Sequence, residues 1–227
     1  MLDDIARRAM QSHVKASLKK IPKRVATQVT PDKYLPNPVN FAADDVKRTM
    51  VLGKRTLPIT DRIIELKEID NSSNKKALVI GAGGVSPSVI LSIKKSGINN
   101  ISVTNRTNEK CIFLKKKFNF LNVISWADLK SEIKNFDIII NATSLGLKNG
   151  DDFNFNFSNT KDEAIYIDTI YNPLETKTFR YLKEAGRKVF NGLDMFIYQG
   201  QKSFYLWNKI NPEIDDELVE LLNLKLK

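Results

Sequence analysis

The residues best equipped for chemistry form one short block, Gly81-Ala82-Gly83-Gly84-Val85-Ser86. Glycines of this density let a backbone turn tightly and bring N–H groups up to an anion, and at a helix N-terminus such groups cradle a pyrophosphate. Gly81 is expected to make the turn and Gly83 to admit the pyrophosphate, with Ala82, Gly84 and Val85 completing the contact. Ser86 takes the third-glycine place, and Pro87 falls in the first helical turn, where a missing N–H costs little. A second signal, Asn105-Arg106-Thr107, stands where an NAD site carries a carboxylate for the ribose 2′-hydroxyl. A carboxylate repels a 2′-phosphate, whereas a guanidinium pairs with it. The expected cofactor is therefore NADP, with Arg106 on the phosphate, Asn105 and Thr107 adding neutral hydrogen bonds, and Thr107 also capping the next helix.

These residues need a scaffold, and the hydrophobic pattern supplies one. Ala77–Ile80 is a continuous apolar run, as expected of a strand buried on both faces. Further strands are expected at 101–104, 123–124, 137–140, 164–167 and 188–190. Helices are expected at 86–96, closed by Gly97, and at 108–117, 175–185, 193–207 and 213–226. Such alternation implies an α/β fold, a doubly wound parallel sheet of the Rossmann type. Residues 1–74 differ: Asn is scarce, prolines cluster at Pro31, Pro36 and Pro38, and Asp70–Asn74 reads as a linker. The expected organisation is a short, atypical, mostly helical N-terminal segment over 1–74 and a nucleotide-binding domain over 75–227.

Composition narrows the function classes. Zinc chemistry has no basis, since His13 is the one histidine and Cys111 the one cysteine; no metal is expected. Cys111 excludes an intrachain disulfide and reads as a buried helix residue of a cytoplasmic protein. No G-x-S-x-G is present. The net charge of +10 resides largely in lysines on amphipathic helices, which reads as solvated surface rather than a nucleic-acid footprint. No apolar run reaches membrane-spanning length.

The blocks Gly81–Gly84, Asn105–Thr107, Asn141-Ala142-Thr143-Ser144 with Gly146, Tyr171-Asn172-Pro173 with Thr176, and Gly192-Leu-Asp-Met195 through Gln199-Gly200 to Phe204 and Trp207 together resemble the NADP-binding half of shikimate dehydrogenase, over about Lys75 to Leu222. The resemblance implies that Asn141, Ala142 and Thr143 lie against the cofactor, and that Gly192 and Met195 flank the nicotinamide. Tyr171 and Gln199 would contact the substrate. Met195, Phe196, Phe204 and Trp207 are expected in the core, with Gln199 among them needing a polar partner. It further implies NADP-dependent reduction of 3-dehydroshikimate to shikimate, a small-molecule partner, and a monomer or homodimer. The family's proton donor is a lysine in Asn-x-Thr-x-Pro-x-Lys with an aspartate in Asn-Thr-Asp. The nearest fragments are Thr30-Pro31-Asp32-Lys33 and Thr60-Asp61, which makes Lys33 and Asp61 the candidate catalytic residues. Both motifs are incomplete, so the alternative is a non-catalytic NADP-binding protein that has lost its substrate domain.

Overall fold

The computed structural model describes residues 74–226 apart from 149 and 156. Among these, 74–195 lie in one compact unit and 196–226 in another. Lys33, Asp61 and the expected linker lie outside the described residues, or in the linker's case almost wholly so.

The first unit is built on six parallel strands: β1 Lys76–Ile80, β2 Asn100–Thr104, β3 Leu121–Val123, β4 Ile138–Asn141, β5 Ile165–Asp168 and β6 Lys188–Phe190, in the order β3-β2-β1-β4-β5-β6. Because side chains alternate along a strand, the central strands β1, β4 and β5 each feed two cores. Ala77 and Val79 join Ile101, Val103, Ile138, Ile140, Ile165 and Ile167 on one face. Leu78 and Ile80 join Ile139 and Tyr166 on the other. The α/β fold and its parallel sheet are thus as expected.

Helices cover both faces. On the first, α1 Ser86–Lys95 packs Val89, Ile90 and Ile93, and α2 Asn108–Lys117 packs Cys111 and Leu114. Burial pushes the Cys111 thiol up to about 11, so it stays neutral and apolar, as expected of a core cysteine. On the second face, α3 Leu129–Glu132 and the 3-10 turn Ile133–Asn135 supply Leu129 and Ile133, while α4 Lys177–Glu184 supplies Phe179 and Leu182. Neither α3 nor the 3-10 turn was expected, because four residues are too short for a helical period to register. The third strand sits two residues earlier than expected.

α5 Leu193–Asn208 begins in the first unit and continues into the second, which also holds α6 Asp216–Lys225. α6 starts three residues later than expected because Asp215 caps it, accepting from Leu218 N at 3.0 Å. In α5, Ile197 is buried, Phe196 and Phe204 half-buried, and Trp207 45% exposed. The core role expected of Trp207 is therefore corrected: the apolar pattern is helical, but Trp207 falls on its outer side.

Candidate functional site

The strand order reverses between β1 and β4, so the carboxyl ends of β1, β2, β4 and β5 face one crevice. The glycine block leaves β1 at that edge. Gly81 has φ +119°, and a Cβ there would collide with the Ala142 carbonyl, so only glycine lets the two loops meet. Its N–H donates to Thr104 O at 2.7 Å, while Gly83 N–H donates to the Oγ of buried Ser86 at 3.1 Å. Ser86 therefore shapes the loop with its hydroxyl as well as by being small. Among the described residues, the N–H groups of Gly84 and Val85, at the start of α1, have no acceptor. Space lies open beside Gly83 and Gly84. Free donors, open backbone and a helix N-terminus fit a pyrophosphate.

At the end of β2, Arg106 is exposed and has no ion-pair partner among the described residues. No carboxylate accompanies it before Glu109. Asn105 does something the sequence did not reveal: its Oδ1 accepts from Ala82 N at 3.2 Å and its Nδ2 donates to Thr107 O at 3.0 Å. Its side chain braces the glycine loop instead of reaching out with Arg106. Thr107 occupies the N-cap position of α2, but its side chain makes no capping bond. That expected cap is corrected.

Asn141 and Asp168 end β4 and β5 opposite each other. Asn141 is fully buried; its Oδ1 accepts from Thr143 N (3.0 Å) and Thr143 Oγ1 (2.6 Å), and its Nδ2 donates to Leu145 O (3.1 Å) and Asp168 Oδ1 (3.2 Å). With both polar atoms committed, Asn141 shapes the crevice loop, while buried Ala142 and half-buried Thr143 follow it along the wall. Burial pushes the Asp168 carboxyl up to about 6, against hydrogen bonds from Ile170 N, Thr176, Tyr166 and Asn141 that favour the charged form. Asp168 was not singled out from the sequence. An aspartate closing an apolar strand, three residues before Tyr171, was the available signal.

The next loop carries half-buried Tyr171 and the cis peptide Asn172–Pro173. Asn191 ties it to the turn after β6, donating to Leu174 O at 3.1 Å and accepting from Leu193 N. Gly192 donates to Ile170 O at 3.0 Å and lies so close to the Thr169 carbonyl that a Cβ has no room. Met195 is 9% exposed and packs into the first core. Gln199 belongs to the second unit and is exposed, so the polar partner expected for a buried glutamine is not required. Among the described residues no group of acidic, His or Cys side chains is arranged to hold a metal, and no helix is long and apolar enough to cross a membrane.

Strand order, a glycine loop at the switch point and a cationic second-strand end define a nucleotide-binding fold of the Rossmann type. Comparison with known proteins then shows what the chain is similar to. Residues 64–168 match the family model described as Shikimate / quinate 5-dehydrogenase. A shikimate dehydrogenase (NADP(+)) of Pelagibacter ubique is 46% identical over 158 residues, 70% of this chain and 58% of that protein. The crystal structure of shikimate dehydrogenase from Aquifex aeolicus superposes with a TM-score of 0.59 at 36% identity, over 72% of this chain and 60% of that one. A shikimate dehydrogenase structure in complex with NADP+ gives 0.61 at 30% identity, over 74% and 61%. The resemblance to shikimate dehydrogenase read from the motifs is borne out. The chain spans about three fifths of the length of these relatives.

Proposed function

We propose that this protein is an NADP-dependent shikimate dehydrogenase of the cytoplasm, interconverting 3-dehydroshikimate and shikimate in aromatic amino-acid biosynthesis, with 75–227 as its nucleotide-binding domain and 1–74 as a separate N-terminal segment. The observation carrying this reading is the crevice edge itself: among the described residues, free N–H groups at Gly84 and Val85, a brace from Asn105, and an unpaired Arg106 where a carboxylate would select NAD. Curated relatives named as NADP(+)-dependent shikimate dehydrogenases support it.

The chain's own residues would divide the work as follows. Gly81, Ala82, Gly83, Gly84 and Val85 receive the pyrophosphate, and Arg106 with Thr107 receives the 2′-phosphate. Ala142, Thr143, Gly192 and Met195 form the wall on the nicotinamide side, positioned by Asn141. When bound, the cofactor supplies or accepts the hydride. Tyr171 and Gln199 hold the substrate's carboxylate and hydroxyls. Lys33, partnered by Asp61, delivers the proton to the nascent alkoxide.

The test is NADP+ reduction by the full chain with shikimate, repeated with Lys33→Ala. Turnover that falls at least 100-fold in the variant, with cofactor affinity unchanged, supports both the activity and the donor. Turnover unaffected by the substitution removes Lys33 from the mechanism. Micromolar NADP+ binding without turnover favours the non-catalytic alternative.

A further inference from the structure

Asp168 is 1% exposed, and its two oxygens accept four hydrogen bonds. Asn141 Nδ2 (3.2 Å) and Ile170 N (3.0 Å) reach Oδ1, while Tyr166 OH (3.3 Å) and Thr176 Oγ1 (2.8 Å) reach Oδ2. Asn141 Nδ2 and Ile170 N can only donate, and with the Tyr166 and Thr176 hydroxyls donating as well the ionised carboxylate has every bond satisfied. Tyr166 is the one titratable side chain in contact with it among the described residues. Of the charged residues on the flanking elements, Asp137 is bonded to Lys161 and Lys183 to Glu175, and Lys177, Arg180, Glu184 and Lys188 are exposed. Among the described residues the carboxylate is thus buried without a counter-cation, an expensive arrangement.

Tyr166 stands on Asp168's own strand, and the other three donors come from the crevice wall. Asn141 anchors the loop of Ala142 and Thr143. Ile170 precedes Tyr171, and its carbonyl receives Gly192 N–H. Thr176 caps α4 by accepting from Phe179 N at 3.2 Å, and its Cβ lies 3.0 Å from where a Gly146 Cβ would stand. One carboxylate therefore joins the loops after β4 and β5, and Ile170 O carries the link on to Gly192 after β6. By topology these lie on the far side of the switch point from Arg106, where the second nucleotide of a dinucleotide extends.

We infer that Asp168 is a positioning residue, whose carboxylate holds the loops after β4 and β5 in the arrangement that receives the nicotinamide half of the cofactor. This rests on the dinucleotide reading above, and two ligands separate the claims. The full chain and Asp168→Asn are titrated calorimetrically with NADP+ and with adenosine 2′,5′-bisphosphate, which lacks the nicotinamide half. The expected result is NADP+ binding at least tenfold weaker in the variant, with bisphosphate binding unchanged within twofold. The wild-type advantage for NADP+ should also vanish as pH falls through about 6, where Asp168 protonates. Comparing the two proteins at each pH cancels titration of the ligand's own phosphate.

Equal weakening of both ligands, undiminished NADP+ affinity, or a pH-independent advantage would each overturn the role. Should Asp168→Asn not fold, Tyr166→Phe carries the test. Removing one donor raises the Asp168 midpoint, so the pH at which wild-type-like NADP+ affinity declines moves upward; an unmoved midpoint overturns the inference. A wild-type chain that binds neither ligand overturns the dinucleotide reading together with it. NADP+ binding without shikimate turnover removes the dehydrogenase activity and leaves the clamp standing.

Discussion

Arg106 and Asn105 are neighbours with different tasks, and their variants should separate. Arg106 faces solvent without a partner among the described residues, so its guanidinium is available to a 2′-phosphate. Charge-assisted bonds of this kind contribute about 1.5–3 kcal/mol. Arg106→Ala should therefore weaken NADP+ roughly 10- to 100-fold and leave NAD+ nearly untouched. Asn105 holds the glycine loop through Ala82 N, so Asn105→Ala should weaken both cofactors alike. Isothermal titration of the two variants with both cofactors checks this; equal losses for Arg106→Ala would refute its role. The cation was legible because a charge type at a fixed distance from a glycine motif carries meaning by itself. The brace was not, because it depends on a contact 23 residues away in sequence. Gln199 misled for a related reason: apolar neighbours in sequence do not say which side of a helix is covered.

At the scale of elements, the glycines divide between folding and binding. Gly81 combines φ +119° with a carbonyl where its Cβ would be. Gly81→Ala should cost about 2 kcal/mol or more in stability, seen as a lowered denaturation midpoint. Gly83 has open space beside it, so Gly83→Ala should leave thermal stability unchanged yet weaken NADP+ binding, where an added methyl meets the pyrophosphate. An equal stability loss in both variants would contradict this division. The alternation of strands and helices was legible because buried parallel strands are apolar throughout. The short helix α3 and the Asn141–Asp168 pairing were not. Neither has a period, and the pairing arises only when β4 and β5 come into register.

For the whole molecule, Asp168 links the site to pH-dependent stability. Its folded-state pKa of about 6 lies above the ordinary 3.8. A raised carboxyl pKa contributes stability that is complete below the unfolded value and lost as pH rises through the folded one. Between pH ~4 and neutrality the loss is about 3 kcal/mol. Wild type should accordingly gain stability relative to Asp168→Asn as pH falls through that window, while NADP+ affinity moves the opposite way. Denaturant titrations of both proteins across the window measure it; parallel curves would show that Asp168 does not titrate there. The most direct test of the proposed activity is the initial rate of shikimate oxidation by the full chain, with NADP+ and NAD+ compared at equal subsaturating concentration. Shikimate-dependent reduction at least tenfold faster with NADP+ is predicted. Tight NADP+ binding with no shikimate-dependent reduction of either cofactor would contradict it.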